Sequence, residues 1–127
     1  MFENEHIKTF IENGVLYMEY KQSGMLTLEV VKEAITERLK IANGTVLPIF
    51  VDFRKPHGAT KEAKIYLSSD KGIEGLSACA VMINSVMGMV AFNFYMTFDA
   101  PPRPIKAFVH KEKALLWLNQ FKTHKLN

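Results

Sequence analysis

"ACAVMINSVMGMVAFNFYMTF", from Ala78 to Phe98, carries no charged residue. Coiled as one helix it would be about as long as a bilayer is thick. How this stretch divides decides the fold. Its only polar pair, Asn84-Ser85, lies in the interior. A spanning helix keeps polar residues at its ends, with basic and aromatic anchors outside them. A strand followed by a helix accounts for the pair better. "LSACAVMIN" reads as a compact, small-sided buried strand that begins after Gly75. Asn84 or Ser85 then offers a helix N-cap, and "VMGMVAFNFYMTF" runs as a helix from Val86 to Phe98 until "DAPPRP" stops it. No membrane span is expected.

The helix itself is apolar nearly all round. At about 100° per residue, Val86, Val90, Phe94 and Phe98 form one stripe, widened by Met87, Ala91 and Tyr95. Met89, Phe92 and Met96 lie on the far side, and Asn93 and Thr97 supply a thin polar line. A helix of this kind needs cover on more than one side. One side can meet a sheet; the other needs a partner, a ligand, or tolerance of an exposed patch. Met89, Phe92 and Met96 are the candidate interaction surface, soft enough to adapt to what they meet.

The remaining chain frames that segment. "HIKTFIENG" and "VLYMEYKQSG" alternate apolar and polar residues around Asn13-Gly14, the pattern of a hairpin with strands near Lys8–Glu12 and Val15–Tyr20. Thr27 can cap a helix whose apolar face is Leu28, Val31, Ile35, Leu39 and Ala42, with Asn43-Gly44 ending it. "TVLPIFVDF" reads as a strand buried on both faces, although Pro48 cannot donate to a ladder. "RKPHGA" reads as a loop. Thr60 can cap a second helix, "KEAKIYLSSD", with Ala63, Ile65, Tyr66 and Leu67 as its buried candidates, and "DKGIEG" breaks it. "PIKAFVH" is a last strand. "KEKALLWLNQF" is a last helix, with Ala114, Leu115, Leu118 and Phe121 inward and Trp117 beside them. The polar tail "KTHKLN" is expected to fray.

The expected order is β-β-α-β-α-β-α-β-α. It describes an α/β domain with a mixed, mainly parallel central sheet, an N-terminal antiparallel hairpin and about four helices. The chain has 127 residues, nearly half of them apolar and about a quarter charged, and a formal charge of +3. These numbers fit one folded domain, 1–127, with its core at about 7–122. The lysines are spread along the chain without a basic block or a recognition motif, so nucleic acid is not an expected partner. Cys79 is the single cysteine, which excludes an internal disulfide and fits a cytoplasmic protein. The N-terminal "MFENEHIKTF" lacks the basic start of a signal peptide.

The order, the length and the C-terminal "KAFVHKEKALLWL" resemble the STAS-like, anti-sigma-factor-antagonist-like domains. In these a last strand, a short polar link and an A-x-x-W-L helix end the chain. "TKEAKIYLSSDKGIEGLSACAVMINSVMGMVAFNFYMTFDAPPRPIKAF" is similar to an uncharacterised bacterial branch of that group. More distantly the layout resembles the CRAL-TRIO lipid-carrier fold. The resemblance implies a non-enzymatic regulatory or protein-interaction module, and the CRAL-TRIO likeness a binder of an apolar small molecule or lipid. Regulatory members carry a phosphorylatable serine in an Asp-Ser-Ser-Gly run at the start of the second helix. That position falls near Thr60, within "HGATKEA". The run is absent, so Thr60 is a helix cap first and a candidate phospho-acceptor second.

Open α/β sheets bind ligands beyond the carboxyl ends of their strands. Asp52, Arg54, Lys55, His57, Asn84, Ser85 and His110 are expected there. Asp52, His57, Asn84 and Ser85 make the candidate sheet-edge crevice. No nucleophile elbow surrounds Ser85, so capping and turn roles explain these residues better than catalysis. The four histidines, His6, His57, His110 and His124, lack ligand spacing, and no glycine-rich phosphate loop occurs; neither a metal nor a cofactor is expected. The expectation is a module acting through protein contacts, most simply as a homodimer joined by the Val86–Phe98 helix.

Overall fold

The computed structural model describes residues 1–122; the expectation for the tail beyond Lys122, His124 included, lies outside the described residues. A two-residue strand, β1 (Phe2–Glu3), pairs antiparallel with β2 (Ile7–Glu12), and β2 pairs antiparallel with β3 (Val15–Tyr20). The hairpin turn forms where expected. Asn13 and Gly14 both take positive φ, 51° and 77°, which matches the twist of the flanking strands. A short strand, β4 (Gly24–Leu26), then leads into α1 (Leu28–Ala42). Thr27 caps α1 by accepting a hydrogen bond from the Val30 N–H, and left-handed Asn43 ends it.

β5 (Leu47–Asp52) is buried from Leu47 through Phe50. Pro48 is tolerated because the register with the next strand shifts between Leu47 and Pro48. The segment read as a loop contains a strand, β6 (Pro56–Ala59), which pairs parallel with β4 in a separate two-stranded sheet. α2 (Lys61–Leu67) follows. Ala63 is buried, but Ile65 and Leu67 face solvent, contrary to their expected burial; Ile65 is 61% exposed. The expected break after α2 contains a single turn, α3 (Asp70–Ile73), capped by Ser69, so the described chain has five helices.

β7 (Leu76–Met82) and α4 (Val86–Phe98) divide the uncharged stretch at Asn84-Ser85, as the sequence predicts. Ser85 Oγ accepts from the Gly88 N–H at 3.0 Å. Among the described residues no helix is long and apolar enough to cross a membrane. β8 (Ile105–Phe108) and α5 (Lys111–Asn119) complete the chain.

The main sheet runs β1-β2-β3-β5-β7-β8, with β3, β5, β7 and β8 parallel. One face packs Leu16, Met18, Tyr20, Ile49 and Cys79 against Val31, Ala34 and Ile35 of α1. The other packs Val15, Phe50, Ala78, Ala80 and Phe108 against Ala114 and Leu118 of α5, the inner residues expected for that helix. Each fully buried Leu or Ile stabilises by about 1.5–3 kcal/mol. Arg38 is only 2% exposed on the inner side of α1. It donates to the carbonyls of Glu74 at 2.7 Å and Gly72 at 3.0 Å, fixing the turn that feeds β7. Burial lowers the basicity of its guanidinium, an effect that nearby Cys79 and Tyr20 oppose.

Candidate functional site

β8 is the last strand of the main sheet, so among the described residues its outer edge has no strand partner. An open edge is a template for pairing with another chain unless something covers it. α4 packs along β8 and supplies that cover. The Asn93 side chain does the work of a strand. Its Nδ2 donates to the Ala107 carbonyl at 3.0 Å, and its Oδ1 accepts from the Ala107 N–H at 2.7 Å. Met89, Phe92 and Met96 share this half-buried side with Asn93.

This orientation corrects the sequence reading of the helix. Met89, Phe92 and Met96 were expected on the outward surface, yet they face inward. The outward surface is the other stripe. Met87 is 84% exposed, Phe98 76% and Phe94 65%, and Val86, Val90 and Tyr95 are all more than half exposed. No residue of α4 is fully buried. The rings of Phe94 and Phe98 meet edge to face at 4.9 Å and form an aromatic ledge on that surface. Thr97 satisfies its hydroxyl within the helix by donating to the Phe94 carbonyl. Tyr95 donates to Asp99 at 2.9 Å.

Beneath α4 a shallow cleft of ≈ 290 Å³ opens between the helix, β8 and α5. Met96, Ile105 and Trp117 give it apolar walls, and Asn93, Thr97 and Lys106 line it as well. Trp117 is braced by Phe108 and Phe121, whose ring centroids lie 5.6 and 4.9 Å away.

A second, polar cleft of ≈ 380 Å³ lies at the carboxyl ends of β3 and β5, lined by Glu19, Tyr20, Asp52, Arg54, Lys55 and Asn84. It unites two of the four crevice candidates, Asp52 and Asn84. His57 lies in β6 and Ser85 caps α4, and neither lines this cleft. Glu19 and Tyr20 were not foreseen. They come from the hairpin strand, whose parallel pairing with β5 places its end beside Asp52. Asp52 accepts two side-chain hydrogen bonds from Arg54, at 2.9 and 2.7 Å. Partial burial pushes its carboxyl up, but those bonds and the adjacent positive charge outweigh this, and the net value lies below the usual carboxylate range. Asn84 donates to the Arg54 carbonyl at 2.8 Å and fixes the loop.

The other candidates have local duties. Thr60 Oγ1 accepts from the Ala63 N–H at 3.2 Å as the cap of α2. His110 occupies the N-cap of α5 without a side-chain bond to it. Cys79 is buried, and burial pushes its thiol up to about 12, which makes it unreactive. Among the described residues, no three His, Cys, Asp or Glu side chains are grouped to hold a metal ion.

Comparison with known proteins supports the architecture. No curated protein matches the chain. A solved structure similar to it is an uncharacterized protein of the DUF3478 family from Shewanella loihica PV-4, with a SpoIIAA-like fold. The two are 21% identical; the match has a TM-score of 0.63 and covers 93% of this chain and 98% of that one. The chain therefore has the SpoIIAA-like, STAS-type fold that the sequence resemblance implied. A family model matches residues 9–122, and by that match the chain belongs to a domain family of unknown function, DUF7793.

Proposed function

We propose that this chain is a non-enzymatic regulatory module, a single cytoplasmic STAS-like domain that works by docking a protein surface, a second copy included, onto the outward face of α4. The observation that carries this reading is an exposed stripe of large apolar side chains on a helix with no charge along its length. Monomeric soluble proteins rarely leave contiguous apolar patches above roughly 300–600 Å² without a use for them. Four of the polar candidates support the non-enzymatic part of the reading, because they have structural partners: Asp52 with Arg54, Asn84 with the Arg54 carbonyl, Ser85 and Thr60 with helix caps.

Binding of an apolar fluorescent dye at submicromolar protein tests the docking face. The wild type should enhance the dye's emission, and the Met87→Asp/Phe94→Asp double variant should lose most of that signal while keeping its circular dichroism. A wild type that leaves the dye dark contradicts the reading.

The cleft under α4 supports a second reading, a binder of an apolar small molecule or lipid. Its volume is near the lower end of ligand pockets, about 300 Å³, and Met96, Ile105 and Trp117 suit an apolar guest. Native mass spectrometry separates the two. A co-purifying small molecule supports the carrier; protein mass alone supports the interaction module.

A further inference from the structure

We infer that the outward face of α4 is covered by a second copy of this chain, with the two α4 helices antiparallel about a two-fold axis. The inference rests on reading that face as a docking surface. Met87, Ala91, Phe94 and Phe98 recur at alternating four- and three-residue steps, the spacing of a seam that packs knobs into holes. All four are exposed.

Antiparallel packing about the middle of this seam sets Met87 against the partner's Phe98, and Ala91 against the partner's Phe94. The small residue leaves the room that the large ring fills. A parallel pair would instead set Phe94 on the partner's Phe94 and leave Ala91 opposite the partner's Ala91, a crowded layer beside an empty one. Antiparallel alignment also opposes the helix dipoles and brings each Asp99 carboxylate toward the positive end of the partner helix. No charge between Val86 and Phe98 opposes the approach. The six outward side chains, each 58–84% exposed, offer on the order of 700 Å² between them, so a contact that covers most of them falls at the lower end of specific interfaces. A two-fold contact uses the same patch on both copies and closes at the dimer, so no further chain is recruited.

Sedimentation equilibrium between about 1 and 100 micromolar, combined with cysteine cross-linking, tests this. The wild-type mass should rise from one chain toward two, and Phe94→Asp should weaken association by about 30-fold or more. Met87→Asp, also on the outward face, is the second variant should the first lose its fold. After mild oxidation the Met87→Cys/Phe98→Cys variant should run as a covalent dimer, while Met87→Cys alone should not. Positions 87 and 98 lie about 16 Å apart along one helix, too far for an internal disulfide, and buried Cys79 stays out of the reaction.

A protein that remains one chain at the top of the range overturns the second-copy inference. If that protein still lights the dye, α4 remains a docking face for a different protein; if it does not, the docking reading falls too. A dimer indifferent to both Phe94→Asp and Met87→Asp forms elsewhere and also overturns the inference. Cross-linking by Met87→Cys alone overturns the antiparallel arrangement.

Discussion

α1 and α4 are of similar length, fifteen and thirteen residues, and the molecule treats them in opposite ways. α1 is charged along much of its outer side and buries Val31, Ala34, Ile35, Arg38 and Ala42. α4 has no charge, yet none of its residues is fully buried. Composition would rank their burial the other way round. Position in the sheet decides: α1 lies across the face of β2 and β3, whereas α4 runs along the outer edge of β8. A face can take up a whole apolar stripe. An edge offers mainly backbone, and the group on α4 that answers it is the amide of Asn93.

Exchanging side chains between these two settings should break the contrast most sharply. Ile35→Ala empties a site in the first core and should cost about 3 kcal/mol in urea unfolding. Phe94→Ala removes a larger side chain from α4 and should change stability by less than about 0.5 kcal/mol when measured at a concentration where the chain is monomeric. If Phe94→Ala matched Ile35→Ala, the outward face would be core and the contrast would fail.

Arg38→Leu leaves the carbonyls of Gly72 and Glu74 without their donor. It should cost about 2 kcal/mol, and the loss should be visible as faster amide exchange in the turn before β7. Asn93→Ala should cost about 1–2 kcal/mol and expose the Ala107 amide to exchange, because the edge of β8 then faces water. An unchanged Ala107 exchange rate would show that α4 holds its place by apolar contact alone.

A smaller loss is expected in the polar cleft. The folded Asp52 carboxyl lies below its ordinary value of about 3.9. Its ion pair with Arg54 therefore contributes fully above that value and is lost as pH falls through the lower, folded value. With Arg54 partly exposed, the contribution should be no more than about 1 kcal/mol. Asp52→Asn should remove that much at neutral pH and flatten the acid limb of a stability–pH curve.

Much of this architecture was legible in the chain. Asn13-Gly14 marked the hairpin, Thr27 and Asn43 bounded α1, and Asn84-Ser85 split the apolar stretch, since each is a residue whose local hydrogen bonding or positive φ suits one position. β4 and β6 were missed because three or four residues hold too little periodicity to register, and Pro56 and Gly58 read as loop. Arg38 is hard to assign from the chain because a charge seldom belongs on an inner face, although it follows Val31, Ala34 and Ile35 at helical steps. The polar cleft was half seen: Asp52 and Asn84 follow strands that end there, but Glu19 joins them through a pairing between distant segments.

The direction of α4 is less legible in the chain. Two apolar stripes of similar strength leave hydrophobic periodicity without a preference. The polar line held the usable signal. Thr97 can satisfy its hydroxyl on its own helix, but an asparagine carboxamide at a half-buried position needs an outside partner for both its donor and its acceptor. The side carrying Asn93 is therefore the side that meets backbone, and Met89, Phe92 and Met96 go with it.

Hydrogen exchange at the α4 amides, followed as a function of protein concentration, tests the central claim most directly. The account predicts that protection of these amides is weakest at submicromolar protein, where only the contact with β8 holds the helix, and rises through the micromolar range as a second copy covers the outward face. Protection that does not change with concentration would mean that no second copy docks there and would contradict the account.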